Sequence, residues 1–194
     1  MNSSELTQLN NSLIAEAQAI LYKDGLWDVL SKYGVPSVTG SFVLKTMAYR
    51  DLDLYLESDT ISEAEFFDLG RAINTALKPA RMSYRNEFRM KTPNLPMGFY
   101  WGVYTDLESR GSWRIDIWTM SHDQIINFKN RLEETMSKIT EENRLIILDI
   151  KNRLSGRKER ISSMIIYRAV LDENVHSMLE FKKWVKQERG MEIE

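Results

Sequence analysis

Two aspartates in the segment 51–57 are the residues of this chain best suited to do chemistry. The segment reads Asp-Leu-Asp-Leu-Tyr-Leu-Glu, so leucine alternates strictly with other residues. This period of two is typical of a β-strand with one buried face, and it puts Asp51 and Asp53 together on the opposite face. Their backbones would lie about 6.6 Å apart, so the two carboxylates could converge on a hard cation such as Mg²⁺.

A glycine–serine pair, Gly40 and Ser41, precedes these aspartates with nine residues in between. We predict a strand over 35–39 and a short helix over 42–48, with Ser41 at the start of the helix and its hydroxyl facing a cavity. Backbone N–H groups at a helix N-terminus can bind phosphate oxygens. Lys45, one turn further along, is a second candidate for phosphate binding.

The Gly-Ser pair, the short spacer and Asp51-Leu-Asp53 together resemble the signature of the nucleotidyltransferase superfamily, which has the DNA polymerase β-like fold. The stretch Arg-Asp-Leu-Asp-Leu at 50–54 also resembles the corresponding segment of lincosamide and aminoglycoside nucleotidyltransferases. The resemblance covers roughly residues 35–120. It implies a third carboxylate on a neighbouring strand, and Asp116 in Trp-Arg-Ile-Asp-Ile-Trp is the candidate.

This resemblance implies transfer of a nucleoside monophosphate from an NTP to an acceptor hydroxyl, with release of pyrophosphate. Asp116 would be either a metal ligand or the general base. The residues implied to be catalytic and to hold two Mg²⁺ ions are Asp51, Asp53 and Asp116. The residues implied to hold the triphosphate are Gly40, Ser41 and Lys45. The C-terminal helices would form one wall of the acceptor site. The expected acceptor is a small molecule of aminoglycoside or lincosamide type, which would make the protein an antibiotic-resistance enzyme.

Two other functions stay open. The acceptor could be a macromolecule, either a protein or a tRNA end, as in toxin–antitoxin relatives of the superfamily. Alternatively, the fold could be catalytically silent and serve as a binding module, although three intact acids argue against this. Loss of Mg²⁺-dependent NTP binding would favour the silent module.

Composition narrows the class of protein further. The 194 residues are 43% hydrophobic, enough to build a core, and they include no cysteine and only two histidines. These counts exclude disulfides, thiolate metal sites and histidine-rich metal clusters. The net charge of −2 argues against nucleic acid as the main partner. The chain shows neither a signal-peptide pattern nor a long apolar stretch, so we expect a cytoplasmic protein without a membrane span. A homodimer stays open.

The predicted fold class is α/β (α+β), with a small mixed β-sheet core, flanking helices and a C-terminal helical region. We predict a nucleotidyltransferase core with an N-terminal helix over 1–120 and the helical region over 121–194. Further strands are expected over 80–92, 97–107 and 113–120, with a turn at 109–111. Capping boxes are expected at 60–63 and 121–124. Three side-chain assignments complete the prediction: a structural salt bridge for Arg50, core positions for Phe99, Tyr100, Trp101 and Tyr104, and a solvated helix end for the basic run 151–160.

Overall fold

The computed structural model describes residues 1–107, 111–156 and 161–193. Its strands are β1 (Val35–Val38), β2 (Asp51–Glu57), β3 (Arg81–Asn86), β4 (Phe99–Leu107) and β5 (Gly111–Met120). Its α-helices before β5 are α1 (Ser3–Gln18), α2 (Leu26–Leu30), α3 (Gly40–Val43), α4 (Glu63–Leu77) and α5 (Glu87–Met90). Those after β5 are α6 (His122–Lys138), α7 (Glu141–Leu154), α8 (Ser163–Leu171) and α9 (Met178–Arg189).

The strands form one mixed sheet in the order β1-β2-β5-β4-β3. Strands β2 and β5 run parallel, and the other neighbouring pairs are antiparallel. A parallel pair needs a crossover between its strands, and α4, β3, α5 and β4 together supply it. The predicted mixed α+β fold class is confirmed.

The sheet buries one face and leaves the catalytic candidates on the other. Leu52, Leu54 and Leu56 of β2 are fully buried, as are Ile115 and Ile117 of β5. They pack in one core cluster with the apolar residues of the helices α1, α2 and α4. Because successive strand residues point to opposite faces, this burial fixes the direction of every remaining side chain on β2 and β5.

The C-terminal helices form a second hydrophobic cluster, built mainly from α7, α8 and α9. It is joined to the turn after α3, where Leu44 packs in the cluster and Thr46 hydrogen-bonds Tyr167 of α8 at 2.8 Å. The prediction of helices after residue 120 is therefore confirmed, while the division into regions 1–120 and 121–194 stays a prediction. Within the described ranges, no helix has the length and apolar composition to cross a membrane.

Several element boundaries differ from the sequence prediction. The helix predicted over 42–48 is the single turn α3, because the chain enters the left-handed region at Lys45 (φ 53°). The capping box of α4 is formed by Ser62 and Glu65, not by residues 60 and 63. The strand predicted over 80–92 ends at Asn86, whose side chain caps α5. Residues 109 and 110 of the predicted turn lie outside the described residues.

The N-terminal region and the other capping box agree with expectation. The N-terminal helix predicted for the core region is present as α1, and α2 follows it after Gly25, which has φ 80°. Ser121 and Gln124 form the predicted capping box of α6. Arg50 makes the expected salt bridge, with Glu16 of α1 at 2.7 Å.

The packing of α4 on the sheet gives a first prediction, because Gly70 lies against Trp101. A Cβ added at Gly70 would be 2.6 Å from Trp101 Cζ2, and the Trp101 indole N–H donates to the carbonyl of Phe66 at 3.0 Å. We expect Gly70→Ala to lower the free energy of unfolding by about 1–3 kcal/mol through overpacking, although alanine is the better helix former. Chemical denaturation measures this. The control Asn74→Ala, at an exposed site of the same helix, should not destabilise the protein, and a neutral Gly70→Ala would contradict the prediction.

Candidate active site

The parallel pairing of β2 with β5 brings the three predicted acids together. Asp53 lies opposite Asp116 in the register, and Asp51 lies opposite Arg114. With the leucines and isoleucines of both strands in the core, all four side chains project from the other face of the sheet, hereafter the acid face. The expected position of Asp116, on the strand beside Asp53 and on the same face, is confirmed.

Gly40 lies directly against the Asp53 carboxylate. It has φ +62°, and a Cβ added there would be 2.5 Å from Asp53 Oδ2. Glycine is therefore required twice, for the left-handed backbone and for the close approach. The Gly-Ser pair and the Asp-x-Asp strand are thus neighbours in space as the sequence predicted.

Ser41 and Lys45 differ from their predicted surroundings. Ser41 is near the start of α3, as expected, but it is buried and its hydroxyl interacts with that of Tyr167, where a cavity was predicted. The helix is only four residues long, so its dipole contributes little at this point. Lys45 is exposed, and its carbonyl accepts a 3.4 Å hydrogen bond from Arg144. Their roles in phosphate binding stay predictions.

Arg114 lies among the carboxylates as a counter-charge. Its Nε donates to Asp116 Oδ1 at 3.1 Å, and its Nη2 also bonds Asp116 Oδ2. The same Nε is 3.9 Å from Asp51 Oδ1. The guanidinium therefore partly neutralises two acids that would otherwise repel each other.

Tyr100 of β4 supplies the remaining hydrogen bond to Asp116. Its O–H donates to Asp116 Oδ1 at 2.8 Å. The ring reaches that oxygen by passing over Gly102, where an added Cβ would be 2.4 Å from the phenol oxygen. Burial and the Asp116 charge raise the pKa of Tyr100, so it stays a donor at neutral pH.

Lys151 of α7 is a buried cation that faces the acids from the C-terminal helices. It is 1% exposed, and its Nζ has no hydrogen-bond partner within the part of the chain that the structure describes. The rings of Tyr49 and Tyr167 lie 5.1 and 5.7 Å from the ammonium. Burial lowers the pKa of Lys151 to about 8, and the charges of Asp51 and Asp53 oppose that shift. The expected solvated helix end is therefore wrong at Lys151, and residues 157–160 of that basic run lie outside the described residues.

The carboxyl of Asp53 is strongly perturbed by its surroundings. Burial, followed by the charges of Asp51 and Asp116, raises its pKa to about 7. Arg114 and Lys151 act in the opposite direction. A carboxyl whose pKa is raised this far is typical of a functional site. A bound cation would favour its ionised form strongly, since opposite charge lowers the pKa of a carboxyl.

The donor set fits Mg²⁺ in its chemistry. Mg²⁺ takes one or two carboxylates and completes its shell with water and substrate phosphates. Asp51 and Asp53 offer two carboxylates on one face of one strand. Residues 1–107, 111–156 and 161–193 contain no ready-made cluster of three or more metal-ligating side chains. Both oxygens of Asp116 are bonded by Arg114, and Oδ1 also accepts from Tyr100.

Sequence reasoning missed three residues of this site: Arg114, Tyr100 and Lys151. A signal existed for each. Arg114 and Asp116 are two apart on one strand, which puts them on one face. Gly102, two residues after Tyr100, leaves room on that same face. Lys151 lies four residues after the buried Ile147, so helical periodicity puts it on the buried side of α7.

The raised pKa of Asp53 predicts how stability changes with pH in metal-free buffer. Between the ordinary value of 3.8 and about 7, the folded chain binds more protons at this carboxyl than the unfolded chain does. Stability therefore falls as the pH rises through that range. Asp53→Asn removes the effect, so its free energy of unfolding should exceed that of the wild type at pH 8 by on the order of a few kcal/mol, and the two should converge near pH 4.

Urea denaturation in EDTA at both pH values measures this difference. Asp68→Asn, at an exposed site on α4, serves as the matched control. An Asp53→Asn protein that is equally destabilised at pH 4 and pH 8 would show that the carboxyl is not under strain.

Comparisons with known proteins give a fold and no family. No protein-family model matches the sequence, and no curated protein matches it. A chain from a solved structure of the GLD-2/RNP-8 complex is similar, with a TM-score of 0.51 and 12% identity. The match covers 88% of this chain and 64% of that one, so the present chain spans less than two thirds of that neighbour. At this identity the similarity concerns the fold alone, a mixed α+β architecture.

Proposed function

We propose that this protein transfers a nucleoside monophosphate from an NTP to an acceptor hydroxyl. One observation carries the proposal: Asp51, Asp53 and Asp116 project from one sheet face in adjacent parallel strands, with Gly40 in contact with Asp53. Closely spaced carboxylates can bind a hard cation, and a glycine turn beside them can approach phosphates. Together they suit a metal–triphosphate substrate. The similarity of fold to the GLD-2/RNP-8 chain agrees with the proposal.

Asp51 and Asp53 would hold Mg²⁺. Asp116 would either join them as a ligand, which requires release from Arg114, or act as the general base. When bound, the metal would neutralise the charge that develops on the phosphates during transfer. The metal would also stabilise the ionised carboxylate of Asp53, because a divalent cation compensates its negative charge more strongly than Arg114 and Lys151 do. The number of ions, two in the sequence prediction, stays a prediction.

The bond changes balance without further reactants. The acceptor oxygen attacks the α-phosphorus, the bond from that phosphorus to the bridging oxygen breaks, and pyrophosphate leaves with the electron pair. The acceptor proton passes to a base, and Asp116 on β5, which neighbours β2 on the side opposite β1, is the candidate. Tyr100 and Arg114 hold its carboxylate in a fixed orientation for that role.

The triphosphate would lie between Gly40-Ser41 and Lys151. Lys151 is a buried ammonium without a hydrogen-bond partner in the described chain. Phosphate oxygens would supply the acceptors that this ammonium lacks. Thr46 and Tyr167 fix the relative position of the turn and α8, so the phosphate-binding groups would come from both the sheet region and the C-terminal helices.

The test of the function is transfer of label from α-labelled NTPs in the presence of Mg²⁺, with pyrophosphate release as a second readout. Asp51→Asn and Asp53→Asn should each reduce transfer by more than about a hundredfold while the fold is kept. Asp68→Asn is the control and should behave as the wild type, because it lies on α4 behind the sheet. Wild-type rates in both Asn variants would refute the metal assignment.

Lys151 gives a prediction with a binding readout. Lys151→Met should weaken Mg²⁺-dependent binding of a non-hydrolysable triphosphate analogue by about tenfold or more, since a charged hydrogen bond contributes about 1.5–3 kcal/mol. Binding of the corresponding monophosphate should change little. Lys183→Met, at an exposed site on α9, is the matched control. Calorimetric titration measures both ligands, and equal losses for the two would mean that Lys151 does not contact the leaving phosphates.

A further inference from the structure

The acid face continues beyond the aspartates to the edge strand β3. Strand β4 pairs with β5, and β3 pairs with β4. Cross-strand partners therefore form three rows of side chains that run from the acids to β3. Gly102 and Ser83 continue the row of Asp53 and Asp116. The rows on either side are Tyr55-Trp118-Tyr100-Arg85 and Asp51-Arg114-Tyr104-Arg81.

These flanking rows are rich in aromatic rings. Of the four residues predicted as core positions, Phe99, Tyr100 and Trp101 are buried and Tyr104 is half-buried. Tyr100 and Tyr104 project from the acid face. The Tyr100 and Trp118 rings lie 4.6 Å apart between centroids. Trp118 and Tyr104 are only half-buried, so part of each ring is accessible to a ligand.

Arginines accompany the rings. The guanidinium of the exposed Arg81 lies 3.8 Å from the centroid of the Tyr104 ring. Arg85, at the end of the other row, donates to Thr92 at 3.3 Å and pairs with Glu87 at 2.6 Å. An arginine can stack on a ring and still bind phosphate, because its donors lie in the guanidinium plane. Accessible rings next to arginines form the combination that binds single-stranded nucleic acid.

We propose that the acceptor is the 3′ end of a single-stranded nucleic acid, held on the acid face with its bases on Trp118 and Tyr104 and its phosphates near Arg81 and Arg85. This inference rests on the proposed function and names its acceptor. Trp118 is two residues from Asp116 along β5, a separation of about 6.6 Å, so a base stacked there would bring the adjoining sugar hydroxyl towards the acids. Tyr104 is likewise two residues from Gly102 along β4, and Gly102 is the cross-strand partner of Asp116.

The charge at the edge strand favours a polyanion there. The exposed Arg81 stacks on Tyr104, whereas Arg85 pairs with Glu87 and Arg114 pairs with Asp116. Arg81 would attract a phosphate and repel the ammonium groups of an aminoglycoside. The net charge of −2, which argued against nucleic acid, is a property of the whole chain, whereas binding depends on the local field of one face.

Binding can be tested without NTP or metal, and therefore independently of catalysis. The probes are fluorescein-labelled 12-nucleotide oligoadenylate and oligodeoxythymidylate, followed by anisotropy at several salt concentrations. Tyr104→Ala should raise the Kd at least about fivefold through lost stacking. Arg81→Gln should raise the Kd and reduce the slope of log K against log salt by about 0.7, the value for one phosphate contact on a single strand.

The matched control is Arg71→Gln. Arg71 is an exposed arginine on α4, on the other side of the sheet, and its loss should alter neither the Kd nor the salt slope. Circular dichroism establishes that each variant is folded. If the wild type binds neither oligonucleotide in a salt-dependent manner, or if Arg81→Gln and Tyr104→Ala bind as the wild type does, the proposal is overturned.

Transfer is then measured with α-labelled NTP, Mg²⁺ and three acceptors: an oligonucleotide with a free 3′-hydroxyl, the same oligonucleotide with a 3′-deoxy end, and kanamycin. We expect label only on the first. Label on kanamycin without oligonucleotide binding would overturn the nucleic-acid inference and leave the proposed function standing. Oligonucleotide binding that depends on Arg81 and Tyr104, with no transfer to any acceptor, would instead count against the proposed function and against this face as an acceptor site.

Discussion

The register of the parallel strands β2 and β5 is the constraint on which the site depends. A slip of one residue would turn the acids of one strand into the core. Burial of Leu52, Leu54, Ile115 and Ile117 opposes that slip, since a fully buried aliphatic side chain contributes about 1.5–3 kcal/mol. The hydrophobic core thus holds the carboxylates of Asp53 and Asp116 side by side despite their mutual repulsion.

That repulsion explains why cations reach the acids from two different parts of the chain. Arg114 comes from the same strand as Asp116 and bonds it directly. Lys151 comes from α7, and its burial is unfavourable for an ammonium, as the lowered pKa records. The C-terminal helices therefore contribute charge to a site whose carboxylates all come from the sheet. The Thr46–Tyr167 hydrogen bond is one of the contacts that fix this arrangement.

The sequence predicted those features that a local pattern determines. Strand β2 follows from the alternation of leucines, and the face of Asp116 follows from the isoleucines that flank it. The length of α3 did not follow, because it is limited by the left-handed conformation at Lys45, a residue type with no special preference for it. Lys151 was misread because charge usually marks solvent exposure, whereas here the apolar stripe of α7 includes it. The position of Tyr100 and Tyr104 depends on the pairing of β4 with β5, which no single segment encodes.

Two glycines show that the carboxylates are built into the fold and are not surface residues of an ordinary amphipathic strand. Gly40 leaves space for Asp53, and Gly102 leaves space for the Tyr100 ring that bonds Asp116. A solvated aspartate requires neither, because water fills whatever space surrounds it. A strained carboxyl at Asp53 and a buried lysine at Lys151 both reduce stability, and both lie at the acid face. Such a concentration of unfavourable features is understandable if a bound cation and phosphates relieve them, since the same ligands would supply the charge and the hydrogen-bond acceptors that the site lacks.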